Sequence, residues 1–460
     1  MAVQEQLVSE EFRATIRGDV VTADDAGYDD ARALFNAMID KRPAVIVRCA
    51  DVADVIASVA FGRENSLDTA IRGAGHNGGG LGSVDDGLVI DLGPICNVRV
   101  DPDAGLVTIG GGAQLGALDH AAHPFGLGVP AGIISTTGVG GLTLGGGIGH
   151  LTRKFGLTID SLVSCDVVLA GGSFVKASED ENQDLFWALR GGGGNFGIVT
   201  SFTFRTIPVS TVIAGPMFWP IERAEEMLEW YREFLPDQPD DLTGFYCFHS
   251  VPPVPMFPEE FHLQHVCGVV WCCTDHSQAD ELLAPARALN PIIDGVGELP
   301  LPFLNAVFDG LYSPGDQWYW KADFVNEIPD ESVALNAEWG RKMPTWKSGM
   351  HMYPIDGAAS RVSNDETAWS YRDARWCQVI VGVDPDPATA GDLRDWGRGY
   401  WEALHPFSAG GAYVNMMMEE EGDERVQASY GPNYERLTKL KAKYDPDNFF
   451  HVNQNIKPAA

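Results

Sequence analysis

At 460 residues, with 45% hydrophobic and 21% charged residues, the chain suffices for two domains or one elaborated domain, and it is not a disordered sequence. Its 52 glycines follow no three-residue period, which excludes collagen. The 64 acidic against 32 basic residues leave a net charge of −32, a field that repels phosphate backbones and anionic lipid, so nucleic acid and membrane surfaces are excluded as partners.

The amino-terminal MAVQEQLVSEEFRATIRGD has scattered acids and no apolar centre, so no secretory leader is read there and a cytoplasmic protein is expected. Ala31, Leu34, Phe35 and Met38 recur at helical spacing, which predicts a helix that Pro43 ends. Residues 44–48 read as a buried strand, Asp51 caps a helix presenting Val52, Val55, Ile56 and Val59, and 66–72 returns as a strand. Short strands follow at 87–92, 98–101 and 106–110, so α/β passes into antiparallel β. The stretch 124–152 carries almost no charge, but glycine breaks it too often for a membrane span. A helix after 178–182 puts Leu185, Ala188 and Leu189 on its inner side and stops at the glycine run 191–194. From about 207 to 405, aromatic strands alternate with amphipathic helices such as 221–231, and the last fifty residues recover the style of the beginning. Eight cysteines form no Cys-x-x-Cys pair and read as reduced thiols. His262, His265, Cys267, Cys272 and Cys273 lie on a strand-like stretch where residues three apart face opposite sides, so no metal is expected there.

GAGHNG (73–78) after a strand satisfies G-x-G-x-x-G, but GGLGS (79–83) follows where a dinucleotide-binding turn would open a helix. A glycine loop without a helix still cradles a diphosphate through successive backbone amides. Three further clusters, GGG (110–112), GVGGLTLGGGIG (138–149) and RGGGGNFGIV (190–199), suggest main chain wrapped around one large flat cofactor.

RGAGHN (72–77), the run 138–149 with TRKFGLTID (152–160), DLFWALRGGGGNFGIV (184–199) and YDPDNFFHVNQNI (444–456) together resemble the vanillyl-alcohol-oxidase superfamily, within it the berberine-bridge-enzyme-like oxidases with a PCMH-type FAD-binding domain. The resemblance implies an α+β fold. It has a two-subdomain FAD-binding domain over 1–209 with its core at 40–209, and a substrate domain over 210–409 built on a large antiparallel sheet backed by helices. A segment over 410–460 returns to the first domain. It implies FAD bonded through His76, within a cradle of Arg72, Gly73, Ala74, Gly75, Asn77, Thr137, Gly138, Gly140, Gly141, Gly145, Gly149, Gly194, Asn195, Gly197, Ile198, Val199, Asn453 and Asn455. Ile134 stands where doubly attached members carry a second, cysteinyl link, so a single link is expected, as in a bacterial branch of the family. Thr137 stands at the family's oxygen-gating position.

The cofactor implies hydride transfer from a C–H beside an alcohol or amine while a base takes the O–H or N–H proton, with dioxygen as acceptor. In YVNMM (413–417) Met416 replaces the tyrosine many relatives use as base, leaving Asn415, Gln378 and Lys321 as catalytic candidates, Lys321 because aromatic neighbours would lower its pKa. Strand alternation puts Met350 with Met352, and Trp376 with Gln378 and Ile380, on faces expected to look toward the flavin; with Ile134 and Met416 they would make an apolar pocket for a small substrate. A sugar oxidase and a non-catalytic flavin carrier are the alternatives.

Overall fold

The computed structural model describes residues 7–460, so the first six residues of the stretch read for a leader lie outside it. A four-stranded sheet comes first, in spatial order Asp19–Val21, Val45–Arg48, Leu88–Asp91 and Thr69–Arg72; its first pair is antiparallel and the others parallel. The helix Val52–Glu64 covers it, and the Asp51 carboxylate accepts the N–H groups of Ala53 and Asp54 that have no partner within the helix. A five-stranded antiparallel sheet follows, ordered Val98–Asp101, Leu106–Gly110, Ile198–Arg205, Leu162–Val168 and Phe174–Ser178. The helix Gln183–Leu189 buries Leu185, Ala188 and Leu189 as expected. Just beyond it the chain turns at Gly191, where φ is +117° and a Cβ would stand 2.4 Å from the Trp369 nitrogen.

The third sheet has eight strands. Its centre runs antiparallel through His265–Cys273, Leu242–Ser250, Gly349–Pro354, Trp376–Asp384 and Gln317–Val325. One face packs on the helices Ala224–Phe234, Asp330–Gly340 and Ala390–Leu404. The other meets loops from the first half of the chain, including Phe35, Ile133 and Ile148. Every residue of Leu242–Ser250, Gln317–Val325 and Gly349–Pro354 is therefore buried, as in a sheet covered on both sides. No helix among the described residues is long and apolar enough to cross a membrane.

The helix expected across Ala31 to Met38 is absent: a short helix, Tyr28–Arg32, ends in extended backbone at Ala33. Tertiary hydrogen bonds replace the helical ones. The Asn36 amide donates to the carbonyls of Gly78 at 2.8 Å and Trp318 at 3.0 Å, and its oxygen accepts the N–H groups of Met38 and Trp318. The apolar residues at helical spacing thus serve two different neighbours from an irregular segment.

The carboxyl-terminal helices Asp423–Tyr430 and Tyr434–Tyr444 bring the chain back to the glycine run at 191–194. Asn195 donates to the Gln454 carbonyl at 3.2 Å and accepts the Ile456 N–H at 2.9 Å. The wholly buried Lys441 ammonium joins the Asp445 carboxylate at 2.7 Å and the carbonyls of Asn195 and Phe450, both at 2.8 Å. Removing one partner of such a pair leaves a charge unpaired in low dielectric. Lys441→Met is therefore expected to destabilise the protein by about 3–5 kcal/mol, read as a lowered thermal midpoint, and to loosen the loop at Asn195.

Candidate active site

A channel of about 310 Å³ runs between the glycine loops and the inner face of the eight-stranded sheet. Its loop wall is largely main chain. Residues 73–75, His76 and Asn77 line one side; Thr137, Gly138, Gly140, Gly141 and Ile134 line a second; Gly194, Asn195, Gly197, Ile198 and Val199 line the far end beside Asn453. The close approach is enforced at Gly138 and Gly140, where a Cβ would stand 2.9 Å from the Ala74 nitrogen and 2.8 Å from the Gly111 carbonyl oxygen. At Gly141 and Gly194 no atom lies within 4 Å of that position, so any side chain there would intrude on the channel.

Arg72 anchors the first loop, its guanidinium 2.9 Å from the buried Asp91 carboxylate, while its Nη1 meets no partner. The side-chain oxygen of Asn453, which is on the lining, is likewise buried and unpartnered. Orphaned buried donors and acceptors at the edge of a bare backbone wall fit a ligand that carries phosphates and a polar heterocycle. Gly145 and Gly149 are not part of the wall. A Cβ on Gly145 would meet Asn415 Oδ1 at 2.1 Å and one on Gly149 the Ala131 carbonyl oxygen at 1.6 Å, so these glycines serve internal packing, and Asn455 also stands off the lining.

His76 is half-buried in the wall, its ring 3.7 Å from that of Phe35 and nearly parallel to it. The Thr136 hydroxyl lies 3.4 Å from Nε2. Burial pulls the His76 pKa down to about 4, so the imidazole is neutral, with a free lone pair, at physiological pH.

The sheet wall differs from the sequence expectation by one residue of register. Tyr353, His351, Val379 and Val381 face the channel, together with Trp318, Trp320 and Tyr312. Met350, Met352, Trp376 and Ile380 point the other way, into the cluster formed with the helices, and Gln378 donates to Asn336 on Asp330–Gly340 at 2.7 Å. Because both faces of the sheet are buried, hydrophobic alternation carries no information about which side meets the cofactor. Lys321 falls on the helix side by the same parity. Its ammonium is 2.6 Å from Glu421 and lies over the Trp401 ring, so it is a buried ion-pair partner and not a base in the channel.

Asn415 and Met416 do line the channel. The Asn415 amide donates to the Leu142 carbonyl and, at 2.9 Å, to the Tyr413 hydroxyl oxygen, which also accepts the Gly147 N–H at 3.0 Å. Burial raises the Tyr413 pKa to about 12 despite these donors, so the phenol is protonated and its O–H is left to donate. His351, Tyr353, Trp318 and Trp320 were missed in the sequence. The available signal was an alternation of His and Tyr with methionine at 350–353 and of two indoles at 318 and 320, legible once the face is known.

The architecture and the glycine-walled channel together fit a flavoprotein oxidoreductase. The chain matches the family models described as FAD binding domain over residues 43–178 and Berberine and berberine like over residues 412–457. It is 36% identical over 465 residues to (R)-6-hydroxynicotine oxidase of Paenarthrobacter nicotinovorans, covering 96% of this chain and 97% of the relative. It is 32% identical to the uncharacterized FAD-linked oxidoreductase YgaK of Bacillus subtilis, over 97% of this chain and 98% of that one. Among solved structures, 6-hydroxy-D-nicotine oxidase from Arthrobacter nicotinovorans superposes with a TM-score of 0.86 at 25% identity, covering 98% of this chain and all (100%) of the other. Xylooligosaccharide oxidase from Myceliophthora thermophila C1 gives 0.84 at 25% identity, covering 100% of both. The chain belongs to the berberine-bridge-enzyme-like family of FAD-linked oxidoreductases and acts on CH–OH or CH–NH groups. FAD is its cofactor and supplies the hydride acceptor; the glycine wall is where the residues present would hold it.

Since Lys321 stands outside the channel, Lys321→Met is expected to change the rate of flavin reduction by less than about threefold at any pH, a small effect beside the 10²–10⁴ typical of a lost base. It is also expected to lower the thermal midpoint, because the buried Glu421 carboxylate loses one of its two cationic partners, Lys321 and Arg425. Stopped-flow reduction across pH and a melting curve measure the two.

Proposed function

We propose that the protein is an oxidase for a small, uncharged, fairly apolar alcohol or amine carrying an aromatic ring, with FAD attached once, through His76, and dioxygen reduced to hydrogen peroxide. The composition of the channel carries the substrate class. Tyr312, Trp318, Trp320 and Tyr353 wall its sheet half, and no Asp, Glu or Lys lines any part of it. An ammonium substrate would enter without a counter-ion, at a desolvation cost of several kcal/mol. Planar aromatic walls favour a planar guest, stacked or edge-on. The indole N–H groups of Trp318 and Trp320 are buried and meet no acceptor in the protein, so they are suited to donate to an oxygen on the ligand.

The single attachment is supported by the neutral, stacked His76 and by the absence of cysteine from the channel lining, where Ile134 stands at the position of the second link. Dioxygen as acceptor is supported by the relatives named as oxidases. A cytoplasmic setting is consistent with the eight unpaired cysteines. The sugar-oxidase alternative has less support, because the sheet half of the channel is walled mainly by aromatic side chains.

Anaerobic mixing with a panel of aromatic alcohols, neutral aromatic amines and oligosaccharides tests the reading. Aromatic alcohols or amines are expected to bleach the flavin and, in air, to yield one peroxide per molecule oxidised. Bleaching by oligosaccharides alone would establish the sugar alternative, and bleaching by nothing would leave a flavin carrier. In acid precipitation the yellow colour is expected to stay with the wild-type pellet and to pass to the supernatant for His76→Ala, whereas colour in the wild-type supernatant would sink the covalent claim.

A further inference from the structure

Behind the channel-facing hydroxyl of Tyr353 lies a chain of two imidazoles. Tyr353 Oη is 2.6 Å from His351 Nδ1, and His351 Nε2 is 2.7 Å from His249 Nε2. All three side chains are buried, on the neighbouring strands Leu242–Ser250 and Gly349–Pro354. The rings are packed among Phe245 and Phe308, with no carboxylate or ammonium against them. Such contacts can be made only if each ring nitrogen is a donor where its neighbour is an acceptor, so the chain is a directed series of hydrogen bonds with one proton per link. A string of polar groups in an apolar core is costly to maintain for packing alone, since Phe and Leu would fill the same space without the desolvation penalty.

We propose that Tyr353 is the catalytic group that takes the substrate proton, with His351 and His249 as positioning residues that pass it inward. This rests on the reading of the protein as an alcohol or amine oxidase. As the substrate C–H leaves as hydride to the flavin, the O–H or N–H bond breaks and its proton passes to Tyr353 Oη. The phenolic proton moves to His351 Nδ1, and the Nε2 proton of His351 moves to His249 Nε2. The substrate has then lost one hydride and one proton, a C=O or C=N bond has formed, and His249 holds the positive charge. The hydride carries negative charge in the opposite direction, which favours departure of the two together.

The other channel groups are unsuited to this step. Tyr413 already accepts two N–H donors, so its oxygen is committed and its proton is the one available for donation. Asn415 spends its amide protons on Leu142 and Tyr413 and is not a base. The titratable groups packed nearest the two rings are His150, Tyr312, Tyr353 and Cys247. Burial keeps the set neutral: His249 is lowered to about 4, His150 to about 3 and His351 well below its ordinary value, while Tyr312, Tyr353 and Cys247 are raised. A standing imidazolium is thus disfavoured at physiological pH, and the cation forms only while hydride leaves.

The test is Tyr353→Phe in the flavin-loaded enzyme, with histidine-selective ¹⁵N NMR on both forms. Flavin reduction by a substrate from the panel is expected to slow about 100-fold, with substrate affinity changed less than about threefold and the solvent deuterium isotope effect of the wild type lost. A merely structural tyrosine would alter affinity or flavin content and leave the isotope effect in place. Reduction at the wild-type rate with an unchanged pH profile would overturn the proposal. Independently of any substrate, the spectra are expected to show His351 and His249 each as one neutral tautomer, with the His351 Nδ1 signal displaced in Tyr353→Phe. Averaged tautomers, or an imidazolium at neutral pH, would overturn the relay even if the oxidase reading holds. If no compound bleaches the wild type, that reading fails on its own while the NMR result still decides the hydrogen-bonded chain.

Discussion

A flat cofactor lying against main chain would require a wall that carries hydrogen where other residues carry carbon, and the glycine loops in the first half of this chain meet that requirement. Gly138 and Gly140 sit where backbone meets backbone closer than a Cβ permits, while Gly141 and Gly194 keep the channel itself clear. A wall of bare glycine has little rigidity of its own, because glycine loses more conformational freedom on folding than any other residue. The rest of the structure supplies the rigidity. Arg72 is tied to Asp91 at the end of a parallel strand, and Asn195 is bonded to the returning carboxyl terminus, where Lys441 and Asp445 form a wholly buried pair. A buried ion pair of that kind confers geometry more than net stability.

The opposite wall follows a different logic. The eight-stranded sheet is covered on both faces, by helices on one side and by the glycine loops and Phe35 on the other. Its channel face is aromatic and almost uncharged, and in that setting a hydrogen bond is strong and an unpaired polar group expensive. Tyr413 and Tyr353 illustrate how neighbours separate two identical side chains: backbone and amide donors commit the first oxygen, while an imidazole pair stands behind the second. Ionic chemistry is placed on the far side of the same sheet, where Lys321, Glu421, Arg425 and Asp323 join the strand Gln317–Val325 to the carboxyl-terminal segment. The sheet therefore keeps charge away from the channel.

Much of the first wall was legible in the residues. Asp51 as a cap, the strand at 45–48, the helix at 183–189 and the glycine clusters all follow from local rules of spacing, capping and steric permission. His76 and Asn415 were found through the motifs around them, and both line the channel. The failures have common physical causes. Ala31 to Met38 has helical spacing but is held irregular by the distant partners of Asn36, and Lys321, Gln378 and the methionines at 350 and 352 lie on genuine strands with the face misassigned.

The amino-acid sequence by itself determined the kind of ligand this protein holds, because glycine density, turn chemistry and capping act over a few residues and leave their mark in the order of the chain. Only the tertiary structure decided which side of the large sheet meets that ligand. A strand buried on both faces presents the same apolar alternation to either neighbour, and the choice rests on how sheet, helices and loops stack, a long-range fact that no run of nine residues such as Gln317–Val325 contains.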